Sequence, residues 1–332
     1  MILVGELASS GPRADNSDMT KLYFIIGCTC SGKSGVGVEL ARRTGGEIVA
    51  ADSMKVYRRM DIGTAKPSAE VRAEIRHHCI DIVEPSQGFS VAEYVRHADA
   101  AIEAIAAEGK VALVVGGTSL YVKALSEGMF DGPPADAELR ADLKARAASE
   151  GLAKLHAELA GVDPQAAAAI HVNDERRIIR ALEVYRTSGE PISALQQQWD
   201  SGRRRYDCVF IGVSREKSDL NGRINRRVKQ MIEAGLVDEV AGLLAEPEGL
   251  SDQASAAVGY SEIIAHLRGK FSLDAAIEKI KINTRRLAKN QRTWHRRSRD
   301  VHWVDASVED TAGELAERIL GAISFDTSPH RP

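Results

Sequence analysis

The sequence predicts an α/β fold: a phosphate-loop (P-loop) parallel sheet core with helices on both faces, interrupted by an all-helical insertion. Three observations predict it. The apolar run 22–26 reads as a buried strand and stops at Gly27, where Gly27-x-x-x-x-Gly32-Lys33-Ser34 matches a phosphate-binding loop in full. Strand-like and helix-like stretches then alternate, which calls for a parallel sheet covered on both sides. Residues 135–200 break that rhythm: they are Ala-rich and helical in texture, with no strand candidate.

Each element has a local reason. In the loop formed by Gly27, Cys28, Thr29, Cys30, Ser31, Gly32, Lys33 and Ser34, the two glycines permit a tight turn that aims successive N–H groups at one anion. The helix that follows adds the positive end of its dipole, Lys33 a mobile charge, and Ser34 a hydroxyl suited to Mg²⁺. Residues 35–43 read as a helix closed by Gly45-Gly46, and 47–51 as a second buried strand ending at Asp52-Ser53. The pattern predicts a helix over 67–78 and a short strand over 79–83. Ser90, followed three residues on by Glu93, is a capping box that opens a helix to Glu108. A strand at 111–115 runs into Gly116-Gly117-Thr118. The Gly and Pro residues of 128–134 mark a boundary, and a buried strand returns at 208–213. Helices are expected over 219–244, 257–267, 273–299 (one long or two close ones) and 308–323, with an edge strand at 301–304. The core is therefore expected over 21–127 and 208–323, with the insertion over 128–207 and residues 1–20 as a loose tail.

Composition narrows the function. The 332 residues carry a net charge of −3, so no global basic field advertises nucleic acid. The four cysteines form no C-x-x-C pair, which suits a reduced cytoplasmic compartment and no structural metal site. No apolar run approaches the roughly 18 residues of a membrane span, and residues 1–20 lack the basic start and apolar core of a signal peptide.

In open parallel sheets, ligands bind outside the carboxyl ends of the strands. That rule gathers the phosphate loop, Asp52-Ser53 and Gly116-Gly117-Thr118 at one crevice. Asp52 reads either as a general base or water-mediated Mg²⁺ ligand, or as a turn or helix-cap aspartate. Thr118 sits where it reaches the crevice or caps the next helix. Arg223, Arg226, Arg227 and Lys229 crowd one helix, where two of the four suit a solvated face and the others a phosphate. Segment 281–299 has eight Lys/Arg and no acid. Lys281, Arg285, Lys289, Arg292, Arg296 and Arg299 recur at helical spacing, forming a positive stripe suited to a polyanion. Arg176, Arg177 and Arg180 make a smaller cluster in the insertion.

These residues resemble the bacterial tRNA dimethylallyltransferase (tRNA isopentenyltransferase) family from Lys21 to about Asp305. The blocks that carry the resemblance are EIVAADSMKVYRRMDIGTAKP (47–67), HHCIDIVEP (77–85), VVGGTSLYVKALSEG (114–128), NDERRIIRALEVYRTSG (173–189), VGYSEI (258–263) and KNQRTWHRR (289–297). The resemblance implies transfer of a dimethylallyl group from dimethylallyl diphosphate to N6 of the adenosine 3′-adjacent to the anticodon, in tRNAs reading codons that start with U. It implies Asp52 as general base, Lys33, Arg223 and Mg²⁺ through Ser34 at the diphosphate, and Thr118 at the channel where the substrates meet. Contacts with tRNA are implied for Asp52, Ser53, Met54, Lys55, Arg140, Arg176, Arg177, Ile178, Ile179, Arg180, Gly259 and Tyr260. The same holds for Lys289, Asn290, Gln291, Arg292, Thr293, Trp294, His295 and Arg296. The insertion is then expected to grip the anticodon arm, and the protein to act as a cytoplasmic monomer. Some positions depart from the family. Cys28 and Cys30 stand for the commoner Pro and Ala, Lys55 for Gln, and Asn290 and His295 for a basic and an aromatic residue. Two other readings remain: an isopentenyltransferase on free adenine nucleotides, and a P-loop small-molecule kinase in which Asp52 activates a hydroxyl.

Overall fold

The computed structural model describes residues 19–129, 132–196, 203–296, 298 and 300–326. The expected tail therefore lies almost wholly outside the described residues, as do Arg297 and Arg299. The chain divides into two compact units, Met1–Val122 with Tyr206–Pro332, and Lys123–Arg205.

The larger unit is built on six parallel strands: β1 (Lys21–Ile26), β2 (Glu47–Ala51), β3 (His77–His78), β4 (Ala112–Gly116), β5 (Asp207–Arg215) and β6 (Val301–Ala306). They lie in the order β3-β2-β4-β1-β5-β6. β1 is central, pairing Phe24 with Val114 on one side and with Phe210 on the other. Side chains alternate across a strand. Tyr23 and Ile25 of β1 join Leu113, Val115, Ile211 and Val213 in one buried cluster. That cluster is closed by α1 (Lys33–Thr44), through Val36 and Leu40, and by the last helix, through Leu315 and Ile319. Phe24, whose side chain leaves β1 on the opposite face, stacks on Phe210 with ring centroids 4.7 Å apart. Each such fully buried ring or aliphatic side chain contributes about 1.5–3 kcal/mol.

After β2 the sequence expectation fails. The helix is only α2 (Ala69–Glu74), and the short strand falls at His77–His78, where a helix end is expected, rather than at 79–83. Cys79 and Asp81 take φ of 62° and 55°, so extended backbone is impossible there. α3 (Val91–Ala107) opens with the expected capping box: Ser90 Oγ accepts from Glu93 N–H and Glu93 Oε2 from Ser90 N–H. It packs against β2 and β4. α4 (Ser119–Glu127) follows β4 and runs across the division between the units.

The smaller unit contains α5 (Ala137–Glu150), α6 (Leu152–Val162), α7 (Pro164–Ala169), α8 (Glu175–Ser188) and α9 (Ile192–Leu195). Leu143, Leu155, Leu159, Ile178, Leu182 and Val184 are fully buried in its core. Two buried carboxylates stiffen it. Asp163 accepts from Ala166 N–H and from both Ser193 N–H and its hydroxyl. Glu183, with no exposed surface, accepts from Asp136 N–H, Arg140 and Arg180.

Back in the larger unit, the helix expected over 219–244 is two helices, α10 (Lys217–Glu233) and α11 (Leu236–Ala245). They break at Gly235, whose φ of 96° no helix accommodates. α12 (Asp252–Ser255) and α13 (Tyr260–Leu267) lead to α14 (Leu273–His295), a single helix. α15 (Ala312–Ala322) starts four residues later than expected, because Thr311 caps it in a box with Glu314. Beyond it, Phe325 stacks on Tyr23, whose hydroxyl donates to Ser324 O and accepts from Asp326 N–H.

Candidate functional site

The phosphate loop leaves β1 at the carboxyl edge of the sheet and enters α1 at Lys33. Gly27 has no room for a side chain: a Cβ there would lie 2.7 Å from both the Val213 carbonyl and Ser31 Oγ. Gly32 turns the chain into the helix at φ 105°. The loop's carbonyls are held by cations. Lys33 Nζ donates to Cys28 O at 3.2 Å, Arg223 Nε to Cys30 O at 3.0 Å, and Arg215 Nε to Ser31 O at 3.1 Å. The C=O and N–H of one peptide point in opposite directions. Fixing these carbonyls therefore orients the N–H groups that follow them, and those of Lys33 and Ser34 begin the helix without intrahelical acceptors. Ser34 itself is exposed.

Arg215 is the residue that sequence reasoning missed. It ends β5, is almost wholly buried, and also binds Asp219 and Ser307 O. An arginine at the carboxyl end of a buried parallel strand is the signal that points to it. On α10, Arg223 and Arg227 are half-buried, one turn apart, whereas Arg226 and Lys229 are exposed along a groove with Ile232 and Ile277.

Strand ends bring the remaining groups. Asp52 follows β2, and its Oδ1 accepts from Met54 N–H at 3.0 Å, forming an Asx turn and not a helix cap. Thr118 does not cap α4 through its side chain. Its Oγ1 accepts from Ser53 N–H at 3.0 Å, and its own N–H donates to Ala51 O at 3.1 Å, tying the β4 end to the β2 end. Electrostatically the crevice is crowded with cations. Burial pushes the Lys33 ammonium down to about 8; the Asp52 carboxylate opposes this and Lys55 and Arg227 reinforce it. Burial likewise lowers Lys55, again opposed by Asp52. Arg223 is lowered by burial and by neighbouring Arg215. Two carboxylates, Asp52 facing Lys33 and Lys55 and Asp219 on Arg215, thus oppose five cations among the described residues, Arg223 and Arg227 being the others. That imbalance suits a ligand with several negative charges.

α14 covers the loop from the side. Gln291 reaches both Thr29 N–H and Gly117 O, and Arg292 lies close enough to Cys28 to influence its thiol. One turn on, His295 is wholly buried with both ring nitrogens unpartnered among the described residues, edge-on to Trp294 at 5.3 Å. Burial, with Lys33 adding, pushes its pKa from 6.5 to about 4. Between those two values the unfolded chain binds a proton that the folded chain refuses, so stability must fall with falling pH. About 2 kcal/mol is expected to be lost between pH 7 and pH 5 from this group. Urea titrations at the two pH values should show that slope in the wild type and its disappearance in His295→Phe; an equal slope in the variant would exclude His295 as the source.

The other sequence candidates are scattered in role. Tyr260 is buried, its hydroxyl donating at 2.5 Å to Glu239, whose carboxylate also accepts from the N–H groups of Asp61, Ile62 and Gly63. Gly259 starts α13, with its N–H on Glu262. In the smaller unit, Ile178 and Ile179 are core residues, Arg140 and Arg180 pair with Glu183, and Arg177 stays exposed beside Asp174. Arg176 lines a surface pocket with His171, Asn173 and Glu175. Along α14, Lys281 pairs with Glu278 and Arg285 donates to Asn225. Lys289, Asn290, Thr293 and Arg296 are exposed, and Arg292 and Trp294 half-buried.

A phosphate loop at the carboxyl edge of a parallel sheet, its carbonyls held by Lys33, Arg215 and Arg223, defines a P-loop α/β protein. The family model described as IPP transferase matches residues 55–298. The tRNA dimethylallyltransferase of Geobacter metallireducens is 48% identical over 288 residues, spanning 87% of this chain and 93% of its own. That of Desulforudis audaxviator is 47% identical over 304 residues, spanning 91% and 97%. Among solved structures, the full-length tRNA isopentenylpyrophosphate transferase of Bacillus halodurans is 41% identical, covering 92% of this chain and 96% of its own, with a TM-score of 0.66. A eukaryotic dimethylallyltransferase acting on tRNA is 26% identical with a TM-score of 0.72, covering 91% and 76%. The chain belongs to the IPP transferase family.

Proposed function

We propose that this protein transfers the dimethylallyl group of dimethylallyl diphosphate to N6 of the adenosine 3′-adjacent to the anticodon, in tRNAs reading codons that start with U. The observation that carries the reading is a phosphate loop whose carbonyls are held by Lys33, Arg215 and Arg223, with Lys55 and Arg227 close by and, among the described residues, only Asp52 and Asp219 to oppose them. The adenine N6 attacks the allylic carbon, the carbon–oxygen bond breaks, and diphosphate leaves with the electron pair. Asp52 takes the N6 proton. The loop N–H groups, Lys33 and Arg223 stabilise the charge as it gathers on the departing oxygen. The exposed Ser34 hydroxyl, a hard oxygen donor beside the phosphate loop, is the group that would hold Mg²⁺ there. When bound, Mg²⁺ would neutralise leaving-group charge. Thr118, bonded to Ser53, sets the spacing of the β2 and β4 ends across which N6 and the allylic carbon must meet. The adenine enters by flipping out of the anticodon loop. The helical unit and the exposed end of α14 serve the tRNA, and the protein works as a cytoplasmic monomer. No described helix is long and apolar enough to cross a membrane.

Labelled dimethylallyl diphosphate with either bulk tRNA or AMP tests this: label should enter tRNA. Label in AMP alone, or phosphate transfer from ATP, would overturn the reading. Lys289, Arg292 and Arg296, whose side chains make no ion pair with described residues, are expected to neutralise tRNA phosphates. Changing all three to Ala should weaken tRNA binding and flatten its log–log salt dependence by roughly 0.7–0.9 for each phosphate no longer neutralised. Binding measured at two salt concentrations checks this; unchanged affinity would leave the stripe a solvated face.

A further inference from the structure

The geometry points to Gln291 as a positioning residue for the diphosphate loop, and not as a reader of RNA. Its Oε1 accepts from Thr29 N–H at 2.8 Å, inside the loop, and its Nε2 donates to Gly117 O at 2.9 Å, at the end of β4. One side-chain amide therefore fixes the separation of the two strand ends that bound the crevice. The loop carbonyl before Thr29 is held by Lys33, so the Cys28–Thr29 peptide is clamped on both its edges. A clamped peptide cannot rotate, and the N–H groups beyond it keep their aim. Gly117 completes the device: a Cβ there would lie 2.7 Å from Gln291 Nε2, so the backbone must be bare for the amide to fit. On the same face of α14, Ala288 and His295 are buried, which seats the helix and leaves the amide little freedom.

The chemistry demands an amide. The group must donate on one side and accept on the other. A carboxylate only accepts and would face the Gly117 carbonyl with like polarity, whereas a protonated carboxylic acid restores both roles. This inference rests on the donor-site reading, in that the loop's ligand is taken to be diphosphate.

Inorganic diphosphate binding to the full chain is measured by calorimetry for wild type, Gln291→Met, Gln291→Glu and Gly117→Ala, with tRNA affinity and the kcat and KM for dimethylallyl diphosphate alongside. The expected result is a loss of roughly 10²-fold in kcat/KM, with weaker diphosphate binding in all three variants and tRNA affinity unchanged. Relative to wild type at each pH, Gln291→Glu should regain diphosphate affinity as pH falls, while Gln291→Met should not. A purely structural side chain would give no such divergence. Wild type that binds diphosphate, with variants that bind it equally or lose tRNA instead, would overturn the positioning role alone. Wild type that takes up no diphosphate would overturn the donor-site reading and this inference with it. Should Gln291→Met fold poorly, the pH response of Gln291→Glu decides the matter, since a Cβ at Gly117 would also lie 3.0 Å from the Gly27 carbonyl.

Discussion

Asp52→Ala is expected to cut turnover by roughly 10²–10⁴ while donor and tRNA affinities stay near wild type. The alkylated N6 must shed a proton, and Asp52 is the carboxylate that the strand ends deliver beside the phosphate loop. A second substitution separates chemistry from structure. Because Oδ1 accepts from Met54 N–H, Asp52→Asn keeps the turn and the side-chain shape but removes the proton acceptor. Single-turnover rates should therefore fall similarly in both variants. Turnover of Asp52→Asn within a few-fold of wild type would reduce Asp52 to a turn former.

Lys33→Ala carries the second large effect. Lys33 is partly buried, so fewer water dipoles screen it than at the surface and its field on the ligand is strengthened. Losing it should lower both turnover and donor affinity, with kcat/KM down by roughly 10²–10³. Both must fall, because charge on the diphosphate grows as the carbon–oxygen bond breaks. Steady-state kinetics in dimethylallyl diphosphate check this. A rise in donor KM with kcat intact would confine Lys33 to ground-state binding. Arg223→Ala should be milder, since its Nε holds the Cys30 carbonyl and part of its effect passes through the loop.

Much of the core was legible because its signals are local. A glycine-bounded loop after an apolar run, a Ser-x-x-Glu capping box and five residues of unbroken apolar strand each declare themselves within a short window. The helical unit was legible by the absence of β-formers. The misses come from two sources. Left-handed backbone at Cys79 and Asp81 is invisible in residue type, because neither is glycine, and it moved the short strand to His77–His78. Arg215 and Gln291 act on the loop from 184 and 262 residues away in sequence. No window of local pattern contains such a pair. Their roles emerge only when β5 and α14 are placed beside β1. The two exposed cations of α10, by comparison, could be anticipated in number but not by name, since helical periodicity does not say where the sheet lies.

The sheet's order also dictates when the protein can become whole during synthesis. β1, emerging near the start, has one neighbour in β4 and the other in β5, which follows only after the entire helical unit. Its base is then closed by Ser324–Asp326, with Tyr23 bonded across a separation of 301 residues. The nascent chain must therefore hold an unfinished central strand, one edge unpaired and prone to association, until β5 has been made. The helical unit, complete in itself and rich in short-range contacts, is free to fold during that wait.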